Sequence, residues 1–260
     1  MVDRGLQESN LGLILDNGGF QFTNTFFVYT SGEIGPYFVN SEVVVKSPNA
    51  YHHAIESLKH AVLYEIGLDN FDVISGGESR DWIFSNHLST HLEIRKPLRV
   101  LYKENARVFG VDVKGKRVLH VSDLNNEGSS ARDLWAPSIK RDGGEIKYYL
   151  SYVDRLEKGV KVLGDLGISR HAIVPLDETA WNKMLELGRV DREVYRNIRE
   201  RAENQDSWGL KMLRGESGLK TLGELLENPK TKDKADKVLS YYCNLDEELI
   251  EFFIGKKVKI

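Results

Sequence analysis

Short apolar runs alternate with segments of helical periodicity along residues 1–177 of the chain. The apolar runs, each followed by glycine or polar residues, predict β-strands at residues 71–74, 98–104, 117–123, 145–155 and 169–177. Between them, apolar positions at helical spacing predict helices over residues 47–67, 82–92, 129–144 and 159–168, with Pro137 kinking or splitting the third. Because strands and helices alternate at this spacing, we expect a parallel sheet covered by helices on both faces.

From Glu178 onward the pattern changes, and Leu, Glu, Lys and Arg recur at helical spacing. Pro229 is the only proline in this stretch. We therefore predict an α/β domain over residues 1–177 and a helical C-terminal extension over residues 178–260.

Composition narrows the class of protein. The chain has 260 residues, and its net charge of −3 supplies no excess of cations for nonspecific binding of nucleic acid or membranes. Cys243 is the only cysteine, so no internal disulfide forms, as expected in a reducing cytosol. The opening MVDRGLQESN lacks the apolar core of a signal peptide, and no apolar run is long enough to span a membrane. We expect a cytoplasmic protein that binds neither nucleic acid nor membrane.

Two glycine-containing loops follow predicted strands, one around Gly76 and one at residues 124–130. In parallel sheets the carboxyl ends of the strands hold the ligand site. A strand that leads through a glycine loop into a helix is a common phosphate cradle. Glu127, however, brings a negative charge into the second loop.

Several segments in order carry a family resemblance. They are Thr30-Ser31-Gly32 followed by PYFVN (36–40), VISGGES (73–79), LYKE (101–104), VLHVSDLNNEGSS (118–130) and DRLEKG (154–159). Together they resemble the type I phosphoribosyltransferases, and among these orotate phosphoribosyltransferase, over about residues 10–177. The resemblance implies an α/β fold with a parallel sheet flanked by helices and a small hood, here from residues 1–29 and 165–177. The all-helical extension lies outside it.

The resemblance also implies a chemistry. Such enzymes transfer a phosphoribosyl group between phosphoribosyl pyrophosphate and a nitrogenous base, usually with Mg²⁺, through an oxocarbenium-like transition state, and they commonly form homodimers. Carried over, Asp123 and Lys103 are the catalytic candidates. The phosphate and ribose candidates are Asp123, Asn126, Glu127, Gly128, Ser129 and Ser130. The pyrophosphate candidates are Gly76, Gly77, Glu78, Ser79 and Arg80, and the base-side candidates are Thr30, Ser31, Tyr37, Phe38 and Arg155.

The chain departs from the family pattern at charged positions. Ser122 stands where the first of two motif acids is usual, and Asp81 where a glycine is usual. Tyr102 replaces an arginine, and Arg107 lies in a short loop where the family has a lysine and a histidine. These changes leave open an alternative, a catalytically inactive protein that senses a nucleotide or binds a partner. A scaffold without any ligand is a third hypothesis.

Three other features have simple structural interpretations. His52 and His53 are adjacent on a predicted helix and point apart, so the sequence predicts no metal site. His120, within a predicted strand, is interpreted as a core residue with satisfied hydrogen bonds. Arg80 is predicted either to bind an anion or to pair locally with Asp81.

Overall fold

The computed structural model describes residues 3–92, 96–103 and 108–255. Arg107 therefore lies outside the described residues. The strands are β1 (Phe20–Val28), β2 (Ile34–Val39), β3 (Val73–Gly77), β4 (Leu98–Leu101), β5 (Val108–Gly110), β6 (Arg117–Asn125), β7 (Glu145–Asp154) and β8 (Ser169–Pro175). The helices are α1 (Arg4–Asp16), α2 (Pro48–Ala61), α3 (Asp81–His91), α4 (Ala136–Arg141), α5 (Lys158–Asp165), α6 (Glu178–Glu186), α7 (Arg192–Glu203), α8 (Gln205–Arg214), α9 (Glu216–Glu227), α10 (Lys232–Leu245) and α11 (Glu248–Gly255).

Contacts divide the chain into two compact units. The first consists of Met1–Gly19 and Asn40–Asn182, and the second of Phe20–Val39 and Lys183–Ile260. The predicted cut at residue 177, with a hood from residues 1–29 and 165–177, places the boundaries elsewhere and stays a prediction. The observed grouping has a packing reason, because α1 packs against β8 in the first unit while β1 packs against α7 and α9 in the second.

A six-stranded sheet forms the centre of the first unit, in the order β5-β4-β3-β6-β7-β8. All neighbouring strands are parallel except β4 and β5, which are antiparallel. The predicted parallel sheet is confirmed. From β3 the chain adds β4 and β5 on one side of the sheet and then β6, β7 and β8 on the other. The gap between β3 and β6 is therefore the topological switch point, where α/β sheets of this kind bind ligands.

Strand β3 is longer than the sequence pattern predicts. The apolar run ends at Ile74, but Gly76 pairs with Val100 and Gly77 with Leu101, so the strand continues through both glycines. A Cβ on Gly77 would lie 2.4 Å from the indole ring of Trp135, which explains why the strand has no side chain there. The loop that follows β3 therefore begins at Glu78.

Helices cover the sheet on both faces. On one face, the stacked rings of Phe84 and Tyr152 have centroids 5.0 Å apart. The Asn10 side chain joins α1 to α2 and β7, since its amide donates to Ser57 Oγ at 2.8 Å and its carbonyl accepts from Tyr152 at 3.1 Å. On the other face, a buried cluster includes Trp135. The helix after β6 begins with a π-helical turn (Ala131–Trp135) and continues without a break into α4, which has Pro137 in its first turn, so the helix is not split.

The second unit joins an antiparallel ribbon of β1 and β2 to the C-terminal helices. The Arg201 guanidinium of α7 donates to the carbonyl of Ile34 at 2.8 Å and lies 5.2 Å from the ring centre of Tyr29. Tyr242 of α10 is buried and accepts a hydrogen bond from the backbone N–H of Ile34. The predicted helical character of the C-terminal region is confirmed. Within the described ranges, no helix is long and apolar enough to cross a membrane.

Candidate functional site

Two loops leave the carboxyl ends of the neighbouring strands β3 and β6. We define the β3 loop as residues 78–80 and the β6 loop as residues 126–130. Both belong to the first unit, and they follow strands that pair in register from Val73 with Val118 to Ser75 with His120. The sheet thus brings together the predicted pyrophosphate and phosphate segments.

The β6 loop is shaped by close backbone contacts. Gly128 has φ +68°, and a Cβ there would lie 3.0 Å from the side chain of Val162. The N–H of Gly159 donates to the carbonyl of Asn126 at 2.8 Å, which holds the loop against the start of α5. Position 128 therefore requires glycine for two reasons, the positive φ and the lack of space for a Cβ beside Val162.

Several polar groups of the β6 loop make no hydrogen bond to any described residue. Within the described part of the chain, the hydroxyls of Ser129 and Ser130 make no hydrogen bond. Ser130 precedes the π-helical turn without capping it through its side chain. The buried Oδ1 of Asn126 also has no partner among these residues. Since buried polar atoms are rarely left unpaired, a ligand or water is the expected partner.

Glu127 is half-buried in this loop. Its charge acts on Arg132, whose pKa is raised first by a hydrogen bond to Asp133 and to a smaller degree by Glu127. The cation thus offsets part of the negative charge that Glu127 brings beside the loop.

Asp123 lies at the end of β6 and is 9% exposed. Its Oδ2 accepts a hydrogen bond from Ser41 Oγ at 3.1 Å. Burial raises the pKa of Asp123 to about 8, helped by the neighbouring carboxylate of Asp81, while Ser41 and Arg80 act in the opposite direction. Near neutral pH the Asp123 carboxyl therefore holds a proton for much of the time.

The neighbour responsible, Asp81, is the first residue of α3. Its Oδ1 accepts from Ser122 Oγ and from the backbone N–H of Asp123, both at 2.9 Å. Its Oδ2 accepts from the N–H of Gly77 at 3.0 Å and lies 3.4 Å from Nε2 of the buried His120. One carboxylate thus connects the ends of β3 and β6. His120 is buried as predicted, and its Nδ1 is hydrogen-bonded to Ser75. The prediction that its hydrogen bonds are satisfied is wrong for Nε2, which has no hydrogen-bond partner among the described residues.

The β3 loop makes contacts of its own. Glu78 Oε2 accepts from the backbone N–H of Lys103 at 2.8 Å, and the peptide bond between Glu78 and Ser79 is cis. Arg80 Nε lies 3.2 Å from Glu42 Oε2. The predicted local pair of Arg80 with Asp81 is wrong, because Asp81 turns inward to the strand ends. Lys103 is exposed next to this loop.

The base-side candidates are distributed over both units. Thr30, Ser31, Tyr37 and Phe38 belong to the second unit, where Ser31 donates to Glu33 at 3.3 Å and the buried Tyr37 accepts from Tyr29 through its carbonyl at 2.6 Å. Arg155 belongs to the first unit, where it is buried and pairs with Glu157 at 2.7 Å.

Asp81, Ser41 and Glu42 were absent from the predicted site residues, and Asp81 had been named only as a departure from the family pattern and as a local partner for Arg80. Ser41 was missed although it directly follows PYFVN, and its polarity next to a family motif was the available signal. Glu42 was missed because a half-buried glutamate at the start of a short helix carries no sequence signal.

Known proteins resemble this chain in sequence and in structure. No family model matches it. Orotate phosphoribosyltransferase of Roseobacter denitrificans is 25% identical over 193 residues, which cover 70% of this chain and 83% of the relative. The enzyme of the same name from Sulfolobus acidocaldarius is 27% identical over 157 residues, covering 58% and 76%. The resemblance to orotate phosphoribosyltransferase found in the motifs is confirmed.

Solved structures lead to the same fold. UMP synthase of Leishmania donovani aligns with a TM-score of 0.64 and 20% identity, covering 76% of this chain and 42% of that chain. Orotate phosphoribosyltransferase of Francisella tularensis aligns with a TM-score of 0.59 and 20% identity, covering 74% and 96%. The chain has the type I phosphoribosyltransferase fold.

Proposed function

We propose that this protein is a phosphoribosyltransferase, most like orotate phosphoribosyltransferase, that transfers a phosphoribosyl group between phosphoribosyl pyrophosphate and a nitrogenous base. The observation that carries the proposal is the β6 loop, where the serine hydroxyls and the buried Asn126 Oδ1 make no hydrogen bond to any described residue. Relatives named orotate phosphoribosyltransferase support the reaction class. One of the solved neighbours, from Mycobacterium tuberculosis, is described in complex with phosphoribosyl pyrophosphate.

Each part of the site has a role in this proposal. The backbone and hydroxyls of Gly128, Ser129 and Ser130 hold the 5′-phosphate, because they offer hydrogen-bond donors without an internal partner. Asp123 accepts from a ribose hydroxyl once it is ionised. Lys103 and Arg80 supply positive charge for the pyrophosphate that leaves, which is the electrostatic part of catalysis.

Asp81 acts as a positioning residue for Asp123. Its carboxylate holds the Asp123 backbone N–H at 2.9 Å and the Ser122 hydroxyl at 2.9 Å. The family pattern has two adjacent acids, whereas this chain has a serine at the first position. Asp81 therefore restores a second carboxylate beside Asp123, although it is contributed by another segment of the chain.

The fold family also implies Mg²⁺. Carboxylate oxygens suit this hard cation, which binds through one or two of them together with substrate phosphates. Asp123 provides such a carboxylate, whereas both Asp81 oxygens already accept hydrogen bonds from the protein, so the residues fit an ion held by one carboxylate and substrate phosphates. When bound, Mg²⁺ would neutralise charge on the pyrophosphate. Asp123 itself must lose its proton to serve as a ligand, because its pKa is raised to about 8.

An inactive nucleotide-binding protein is the second candidate. It is favoured by the pairing of Arg80 with Glu42, since this cation is already engaged at the proposed pyrophosphate side. Such a protein would keep the β6 loop as a phosphate site without turning over a substrate.

Calorimetric titration separates the candidates. Phosphoribosyl pyrophosphate with Mg²⁺ and, separately, orotidine monophosphate are titrated into the full chain, followed by an assay for orotate consumption. We expect micromolar binding that is lost in Asp123→Ala and retained in Asp165→Ala, an exposed acid paired with Lys161. Binding together with turnover supports the transferase, and binding without turnover of any base supports the second candidate. The absence of heat from both ligands would reject both.

Light scattering of the same samples tests the homodimer, which we propose from the family resemblance. A monomer at micromolar concentration would contradict it.

A further inference from the structure

Two helices of the first unit bring together a group of metal-binding side chains far from the β6 loop in sequence. His52 and Glu56 lie one turn apart on α2, and His91 is the last residue of α3. One ligand atom from each of these three residues lies within 4.8 Å of the other two. The prediction of no metal site rested on His52 and His53, which point apart on α2, whereas the residue next to His52 comes from α3.

The three side chains face one another directly. His91 Nε2 contacts Glu56 Oε1, and the rings of His52 and His91 meet edge to face with centroids 5.9 Å apart. His52 is exposed, and the side chains of Glu56 and His91 are 42% and 31% exposed. An ion can therefore reach the cluster from solvent.

The spacing on the helices explains why the cluster forms. Residues i and i+4 lie on the same face of a helix, so His52 and Glu56 point in one direction from α2. His87, one turn before His91 on α3, stands next to it with ring centroids 5.4 Å apart. Three imidazoles and a carboxylate thus gather on one surface, whereas His53 turns away to Ser9, with its Nε2 3.0 Å from the hydroxyl.

A simple ion pair does not account for this arrangement. The contact of His91 with Glu56 explains two of the residues but gives no reason for His52 to stand beside them. The other oxygen of Glu56, Oε2, lies 3.9 Å from Lys59 Nζ, a distance too long for a hydrogen bond. Glu56 therefore remains able to share its charge with a cation placed between the imidazoles.

We propose that His52, Glu56 and His91 bind a divalent transition-metal ion of the Zn²⁺ type. Two histidines and one glutamate form a known zinc ligand set, with a fourth position left for water or another ligand. Imidazole nitrogens favour Zn²⁺, Cu²⁺ or Ni²⁺ over Mg²⁺, so this site is chemically different from the proposed magnesium site.

Zinc binding requires a local rearrangement of the three side chains. Tetrahedral zinc with bonds of about 2.0–2.1 Å places its ligand atoms about 3.3 Å apart. The three atoms now lie within 4.8 Å of one another, and His91 Nε2 already contacts Glu56 Oε1, so zinc binding requires this contact to open while the side chains rotate around the ion. The bound ion would connect α2 to the carboxyl end of α3.

The test uses the full chain without a histidine tag, freed of metal by a chelator. Zn²⁺ is titrated by calorimetry, and Co²⁺ by its visible absorption, whose intensity reports tetrahedral coordination. We expect one ion per chain with micromolar affinity. His52→Ala and His91→Ala should each weaken binding at least tenfold, and His53→Ala, the matched control on the same helix, should leave it unchanged.

Further measurements keep the result interpretable. Zn²⁺ should raise the melting temperature of the wild type and of His53→Ala, since an ion that binds the folded state stabilises it. Glu56→Gln, which keeps the side-chain shape, should reduce both effects if the variant folds by circular dichroism. His87→Ala measures whether His87 fills the fourth position. A weaker affinity for Zn²⁺ adds His87 as a ligand, and an unchanged affinity leaves that position to water. Both results are consistent with the three-residue site. The proposal is overturned if the wild type binds no Zn²⁺, or if its affinity survives both His52→Ala and His91→Ala.

Discussion

The β3 and β6 loops leave neighbouring strands, yet they differ in how their polar groups are used. In the β3 loop, Arg80 is paired with Glu42 and Glu78 with the backbone of Lys103. In the β6 loop, the hydroxyls of Ser129 and Ser130 bond to nothing in the described chain. The β6 loop thus has the character of an open anion site, whereas the β3 loop must break contacts before it can hold a pyrophosphate.

Asp81 connects the two loops, and its removal gives the largest expected effect. Asp81→Ala leaves the N–H groups of Gly77 and Asp123 without this acceptor, while the Ser122 hydroxyl keeps only the Leu124 carbonyl at 3.2 Å. Unpaired buried donors and a lost buried charge contact cost about 3–5 kcal/mol. We expect the free energy of unfolding in urea to fall by about that amount. Asp81→Asn keeps an acceptor oxygen, so its free energy of unfolding should fall by less. This role of Asp81 would be contradicted if both variants lost the full amount, or if neither did.

The pH dependence of stability tests the coupling of Asp81 to Asp123. The folded-state pKa of Asp123 is about 8, above its value of about 4 in the unfolded chain. Between these values the folded state holds the extra proton, so stability falls as pH rises from about 4 to about 8. The slope should approach about 1.4 kcal/mol per pH unit, as a single linked proton gives. Urea unfolding at pH 5, 6 and 7 measures it.

Asp123→Asn provides the control for this slope. The amide cannot titrate, so the variant should gain stability relative to the wild type as pH rises through the same window. An equal slope in both proteins would assign the pH dependence to other groups.

The motif residues and the tertiary contacts differ in how far the sequence predicts them. The β6 loop is contiguous, so Gly128, Ser129 and Ser130 could be found from one stretch of sequence. The role of Asp81 could not, because its partner Asp123 is 42 positions away and depends on the pairing of β3 with β6. The cluster of His52, Glu56 and His91 was missed for the same reason, since it needs the packing of α2 against α3.

Substitution of the Ser129 and Ser130 hydroxyls tests whether the β6 loop holds them available for a ligand. Because they support no helix cap or other internal hydrogen bond, Ser129→Ala and Ser130→Ala should change the free energy of unfolding by less than about 0.5 kcal/mol. Each should nevertheless weaken phosphoribosyl pyrophosphate binding by about 1 kcal/mol, or roughly fivefold. Ser89→Ala is the control, because its hydroxyl donates to the Asn86 carbonyl at 2.8 Å within α3. That variant should lower stability and leave the affinity unchanged.

The smallest expected effect concerns Arg80, the cation of the β3 loop that is paired with Glu42. Glu42 and Arg80 are 36% and 49% exposed in their side chains, so their ion pair contributes only about 0–1 kcal/mol to stability. Glu42→Gln keeps the shape but frees Arg80, and we expect it to tighten phosphoribosyl pyrophosphate binding two- to fivefold, by up to about 1 kcal/mol. Calorimetry on Glu42→Gln, Arg80→Ala and the double variant measures the coupling. The gain should disappear when Arg80 is absent, because the released charge is then missing. If Glu42→Gln still tightens binding when Arg80 is replaced, the ion pair of Arg80 with Glu42 is not what makes the β3 loop differ from the β6 loop.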